Sequence, residues 1–186
     1  MYLAEEWGNP SSSYRFGAKL KAVIETARGQ VAELLGASSR EIVFTSGATE
    51  ANNTAIHAAL KAHPARRHIV TSAVEHSSVL SCCRAWEREG VRVTVLPVDR
   101  EGLLKLADVE AAVTDETAVV SLMWANNETG VLFPVERIAE LCRARRVLLH
   151  CDAVQAVGKL AVDVRRLSAD YLTLSGHKFH GAKGVG

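Results

Sequence analysis

Tyr171-Leu-Thr-Leu-Ser-Gly-His-Lys178 places an amine where chemistry can use it. Four apolar and β-branched-rich residues read as a buried strand, which breaks at Ser175-Gly176 before His177 and Lys178. A lysine just past a buried strand sits at the mouth of an α/β sheet, where such sheets keep their ligands. Its ammonium is costly to desolvate, and forming an imine with a carbonyl group is one way to compensate. A solvated loop lysine is the plain alternative.

Asp152 ends a second apolar run, Val147-Leu-Leu-His-Cys151. A carboxylate at the end of a core strand needs a cation or several hydrogen bonds. A protonated pyridine nitrogen, as in pyridoxal phosphate, is a fitting cation, although aspartate also caps helices well. Gln155 could bond the ring hydroxyl or complete a capping box. His76 could stack on the ring or cap the helix it precedes. Gly47-Ala48-Thr49 opens a helix directly after an expected strand, so its free N–H groups and the Thr49 hydroxyl suit a phosphate, or Thr49 simply caps. Ser175 and His177 can join the same anion site. Asn127 could orient ring or substrate, or only form a turn. The spacing Gly176 to Gly181 is not a nucleotide P-loop, because Ala182-Lys183 follows where Lys-Ser/Thr is required. His177 and His180 alone make a weak case for a metal, and none is expected.

These residues need a scaffold that brings distant loops together. Hydrophobic periodicity predicts helices over 18–35, 50–62, 78–89, 103–113 and 134–145, with a turn cluster at Gly8 to Ser12. It predicts strands over Glu41–Thr45, 68–72, 91–95, 117–124, 147–151 and 171–174. Strands alternating with helices imply an α/β fold, a mainly parallel sheet with flanking helices. The loops 46–50, 73–77, 126–130, 152–155 and 175–178 then leave one sheet edge and converge on one crevice.

Composition bounds the remaining possibilities. The chain has 186 residues, 48% of them apolar and 23% charged, enough for a substantial core. A net charge of +1 argues against binding nucleic acid or a membrane surface through charge. The Arg-rich spots at 66–67, 143–146 and 165–166 are short and read as solvated helix ends. Met1-Tyr-Leu-Ala-Glu-Glu6 is acidic where a secretory signal is basic, and no apolar run reaches membrane-spanning length. Four cysteines without CxxC spacing are expected to be free thiols in a reducing, cytoplasmic setting.

Phe44-Thr-Ser-Gly-Ala-Thr-Glu50, Glu75-His76, Trp124-Ala-Asn-Asn-Glu-Thr-Gly130, His150-Cys-Asp-Ala-Val-Gln-Ala-Val-Gly158 and Ser175-Gly-His-Lys178 together resemble the cysteine desulfurases of the NifS/IscS type. These are class V aminotransferase-fold enzymes dependent on pyridoxal 5'-phosphate, and the Trp-Ala-Asn-Asn-Glu-Thr-Gly form leans toward the branch serving nitrogenase maturation. The resemblance implies a large cofactor-binding domain over 1–186. Lys178 would carry the imine, Asp152 would pair with the ring nitrogen and Gln155 would meet the ring hydroxyl. His76 would stack and move protons, Ala48, Thr49, Ser175 and His177 would hold the phosphate, and Asn127 would contact cofactor or substrate. It further implies a homodimer that acts on L-cysteine and passes sulfur to an iron–sulfur scaffold protein. A selenocysteine lyase, a class V aminotransferase or a non-catalytic fragment are the alternatives. The family pattern includes an earlier segment, and a later one with a persulfide-forming cysteine, that have no counterpart here. Tyr14 and Ala182 stand where relatives often carry histidine and proline. Cys82, Cys83 and Cys142 read as packing residues, and Cys151 as pointing to the sheet face opposite Asp152.

Overall fold

The structure, a computed structural model, describes Glu5 and residues 7–186. The acidic opening stretch lies outside the described residues apart from Glu5. The chain divides into two compact units, 1–43 and 44–186.

In the first unit, the turn at Asn9 closes when its carbonyl accepts the Ser12 N–H at 3.1 Å. Helix α1 (Arg15–Leu35) follows and buries Leu20, Ala32 and Leu35. It ends at Gly36, whose φ of 68° is the left-handed conformation glycine adopts cheaply. The strand expected over Glu41–Thr45 is not part of the sheet. A 3₁₀ turn, Ser39–Glu41, occupies its start, closed by a reciprocal Ser38–Glu41 capping box. Arg28 then takes the Ile42 carbonyl at 2.6 Å. Local side chains have claimed backbone groups that a ladder would need. In the second unit, Thr45 exchanges two backbone bonds with Gly186, at 2.8 and 3.0 Å.

The second unit contains the remaining elements, in the order α2 (Ala48–Ala62), β1 (His68–Ser72), α3 (Ser77–Arg88), β2 (Arg92–Leu96), α4 (Leu106–Ala112), β3 (Thr117–Met123), α5 (Val135–Arg145), β4 (Leu148–Asp152), α6 (Val164–Leu167) and β5 (Tyr171–Thr173). The strands form one parallel sheet in the order β2-β1-β3-β4-β5. Sequence order reverses beside β1, which lies between β2 and β3, and such a switch opens a crevice at the strands' C-terminal edge. Both faces of β4 are buried. Its His150 and Asp152 point toward α2, and Leu149 and Cys151 toward the other side, as the twofold period of a strand requires. Ile56, Ala59 and Leu60 of α2 pack with Val79 and Cys83 of α3 over Ile69 and Val119 of the sheet. Burying side chains of this size contributes roughly 1.5–3 kcal/mol each, which makes the sheet a rigid mount for the loops at its edge.

Predicted and observed elements agree closely over β1, β3 and α5. The helix expected over 103–113 is shorter, because Leu103 and Leu104 precede it in extended chain tied to the Asp99 turn. The Arg66–Arg67 spot is not simply solvated. Arg66 donates to the carbonyls of Thr117 (3.3 Å) and Arg146 (2.6 Å), joining the N-terminal end of β3 to the end of α5. Among the described residues, no helix is long and apolar enough to cross a membrane.

Candidate active site

A cavity of about 460 Å³ opens at the C-terminal edge of the sheet. Its wall contains all nine of the residues singled out from sequence: Ala48, Thr49, His76, Asn127, Asp152, Gln155, Ser175, His177 and Lys178. The loops expected to converge therefore do converge. Asn52 and Lys183 also line it and were not foreseen as site residues. Asn52 had a visible signal, since it is a polar residue on the buried α2 stripe of Ala55, Ile56 and Ala59.

Asp152 ends β4 and is 5% exposed. Its Oδ1 accepts the Val154 N–H at 3.0 Å, and its Oδ2 accepts from the Asn52 amide at 2.8 Å. It thus caps the following turn and still faces the cavity. Burial raises its pKa above the ordinary carboxylate value, against the lowering effect of those two bonds and of nearby His76. A cation in the cavity would relieve that desolvation.

Helix α2 begins at Gly47, with φ 150° and ψ 176°, a region that only glycine enters without strain. Thr49 is therefore not the cap. It lies on the first turn and lines the cavity together with Gly47 and Ala48. The Ser46 N–H is already engaged by the Glu50 carboxylate at 2.6 Å. His76 caps α3, its Nδ1 accepting the Ser78 N–H at 3.1 Å. The capping reading of this histidine holds, and the residue also lines the cavity. Buried Ser175 lies 3.0 Å from His177 Nδ1, and Lys178 sits exposed in the 3₁₀ turn Gly176–Phe179. Gln155 accepts from Lys159 Nζ at 2.9 Å, and Asn127 donates to Glu128 at 2.7 Å, so each has a local partner to exchange for a ligand.

Beneath the site lies Glu75, 5% exposed. Its Oε1 accepts from Ser72 Oγ (2.6 Å) and from the Met123 N–H (3.1 Å), while Oε2 is buried without a partner. Burial pushes its pKa up to about 8 in spite of those bonds, and the charge of Asp152 pushes the same way. Burial thus favours the neutral acid for Glu75 at neutral pH.

The four cysteines are free and buried. Burial raises the Cys82 thiol pKa, lifts Cys83 and Cys142 to about 12, and holds Cys151 well above the ordinary thiol value. None is poised as a thiolate. A disulfide-exchange reagent is expected to label none of the four quickly in the native protein and all four once it is unfolded. Rapid native labelling of any one would contradict its burial. Among the described residues, no group of three or more His, Cys, Asp and Glu could hold a metal ion.

The aminotransferase class-V family model matches residues 1–186. The chain belongs to the class V aminotransferase family. Cysteine desulfurase 2 of Trichormus variabilis is 51% identical over 185 residues, a span that is all of this chain and 46% of that protein. This class V chain thus spans about half the length of such relatives. Two solved structures superpose with TM-scores of 0.94. One is a NifS-like protein, 39% identical over 98% of this chain and 51% of its own. The other is SspA in complex with cysteine, 38% identical over 98% of this chain and 53% of its own. Their likeness fits the parallel sheet and its switch point found here.

Proposed function

We propose that this chain is the cofactor-binding portion of a pyridoxal 5'-phosphate-dependent cysteine desulfurase. The observation that carries the reading is the meeting, in one cavity, of the Lys178 amine, the buried Asp152 carboxylate and the open N-terminus of α2. A cavity of about 460 Å³ is of the size that holds cofactors. Its donor set fits this one: an anion cradle with glycine at the helix cap, a carboxylate short of a cation, and a primary amine. The similarity to proteins called cysteine desulfurases, and to one structure with cysteine bound, supports the choice of substrate.

When bound, pyridoxal phosphate supplies a carbonyl for amine capture and a ring that accepts an electron pair. The chain's own groups would do the rest. Lys178 would hold the cofactor through its side-chain amine and, as a free amine, would carry protons. Asp152 would keep the ring nitrogen protonated, with Asn52 and Val154 fixing the carboxylate's direction. The His76 Nδ1 is occupied by Ser78, so its ring proton is on Nε2, the nitrogen left to exchange protons. Ala48, Thr49, Ser175 and His177 would bind phosphate oxygens, Gln155 the ring hydroxyl, and Asn127 the ring or the substrate.

The net reaction takes L-cysteine and an acceptor thiol to L-alanine and an acceptor persulfide. The chain's own thiols are buried and hold their protons, so the acceptor belongs to another segment or another molecule. In the family pattern two such chains form a homodimer and the sulfur goes to an iron–sulfur scaffold protein, and the same is proposed here.

An absorption spectrum tests the reading. Adding pyridoxal phosphate is expected to produce an imine band that is absent from Lys178→Ala, with alanine and sulfide formed from L-cysteine when an excess of a small thiol serves as sulfur acceptor and reductant. A wild-type protein with no such band would refute the cofactor assignment, and turnover of selenocysteine alone would refute the substrate.

A further inference from the structure

Under the cavity runs a buried chain of hydrogen bonds whose direction can be worked out atom by atom. The Ser78 backbone N–H is an invariable donor, and it points at His76 Nδ1 from 3.1 Å. That nitrogen therefore carries no proton. The Ser78 hydroxyl, 2.9 Å from the same nitrogen, must donate to it. Having spent its proton there, Ser78 Oγ can only accept from the Asn52 side-chain atom 3.0 Å away, which is thus Nδ2. This fixes the amide without reference to the charge of Asp152. The same Nδ2 donates to Asp152 Oδ2 at 2.8 Å.

The other half of the amide follows. Asn52 Oδ1 accepts from the Thr173 hydroxyl at 2.5 Å. Thr173 Oγ1 must then accept from His150 Nε2, 3.2 Å away, and His150 Nδ1 accepts from Ser121 Oγ at 2.8 Å. His150 needs one donor and one acceptor nitrogen for this, so it must be neutral. Full burial makes it so, holding its pKa down to about 4. Every proton in the series, from β3 through β4 and β5 to α2 and α3, is aimed toward Asp152 and His76. Asn52 is where the series divides between them, and it is completely buried.

We infer that Asn52 is a positioning residue that orients the Asp152 carboxylate and, through Ser78, the His76 ring, with its own amide locked by Thr173 and His150. The inference deepens the proposed function and rests on the pyridoxal phosphate reading for its effect on ligand binding. Its effect on the apoprotein does not depend on that reading. Two substitutions separate the halves of the amide. Asn52→Asp keeps an oxygen for Thr173 but removes both donors, and it sets a second carboxyl against Asp152 Oδ2, where the two would compete for one proton. Asn52→Leu removes both halves and frees the Thr173 proton to turn toward His150.

Nitrogen-15 NMR of histidine-labelled apoprotein at neutral pH reads the network. The wild type is expected to show His150 protonated on Nε2 and His76 likewise. Asn52→Asp should preserve the His150 tautomer, whereas Asn52→Leu should abolish its preference. Pyridoxal phosphate, added as the probe, should bind Asn52→Asp at least about tenfold more weakly than wild type, as expected from losing a hydrogen bond to a charged group. A wild-type His150 protonated on Nδ1 would overturn the inference, and so would an Asn52→Asp protein that binds the probe as tightly as wild type. Should Asn52→Leu not fold, the wild-type tautomers and Asn52→Asp still decide. A wild type that binds no probe refutes the cofactor reading, and the His150 tautomer then judges the network alone.

Discussion

Asp152→Asn is expected to weaken pyridoxal phosphate binding by two to three orders of magnitude and, in the same protein, to raise the stability of the apo form. The first effect comes from the charge. Removing one partner of a buried charge pair costs roughly 3–5 kcal/mol, because the other charge is left without compensation. The second comes from desolvation. Asp152 is 5% exposed and its pKa is raised mainly by burial, so the empty cavity bears the cost of an under-compensated carboxylate. A neutral amide removes that cost. It retains an oxygen for the Val154 N–H, but its own NH₂ then meets the Asn52 NH₂ across the 2.8 Å now spanned by a hydrogen bond. One of the two amides must turn, which offsets part of the gain.

Thermal unfolding with and without pyridoxal phosphate measures both effects at once. Saturating wild type at about a hundred to a thousand times its dissociation constant adds roughly 3–4 kcal/mol. Asp152→Asn should unfold at or above the wild-type apo temperature and gain almost nothing from the cofactor. A mutant that melts lower in the apo form and keeps its cofactor response would mean that Asp152 is a structural cap alone.

The parts of the site that follow strand ends were legible in the sequence. Lys178 and Asp152 each close an apolar run, and a run's end is a local signal that needs no knowledge of the fold. The boundaries of β1 and β3 were legible for the same reason, as uninterrupted apolar and β-branched segments. The Asn52 network was not legible, because its members meet only through the crossovers: Asn52 and Thr173 are distant in sequence and 2.5 Å apart in space. Asn52 on the α2 stripe and His150 inside an apolar strand were each visible as buried polar residues, but their partners were not. The expected strand over Glu41–Thr45 failed through competition. Its β-branched residues favour extension, yet Ser38, Glu41 and Arg28 satisfy the local backbone first.

Stability should peak near pH 6.5, and Glu75→Gln should remove the decline on the alkaline side. Three buried groups set the curve. His68, held between the Thr117 and Thr94 hydroxyls at 2.8 Å each, and His150 are both kept neutral down to about 4, mainly by burial. Each histidine is protonated in the unfolded chain below 6.5, so its contribution is complete above 6.5 and is lost as pH falls toward 4. Glu75 has the opposite sign. Its pKa rises from 4.5 to about 8 on folding, so its contribution is complete below 4.5 and is lost as pH climbs to 8. Between 4.5 and 6.5 two histidines outweigh one glutamate, leaving a net rise of roughly 1.4 kcal/mol per pH unit, softened by Asp152, whose raised pKa works with Glu75. Above 6.5 Glu75 dominates while the two histidine contributions level off, and the net fall to pH 8 is about 1 kcal/mol. Glutamine keeps an oxygen for Ser72 and Met123 and leaves its second atom without a partner, as the neutral acid also does. Its cost at pH 6 is therefore small, and its stability from 6.5 to 8 should no longer fall but rise by less than about 1 kcal/mol as the histidine contributions are completed. Denaturant unfolding of both proteins across pH 5–8 provides the comparison. Parallel curves would show that Glu75 does not take up its proton on folding.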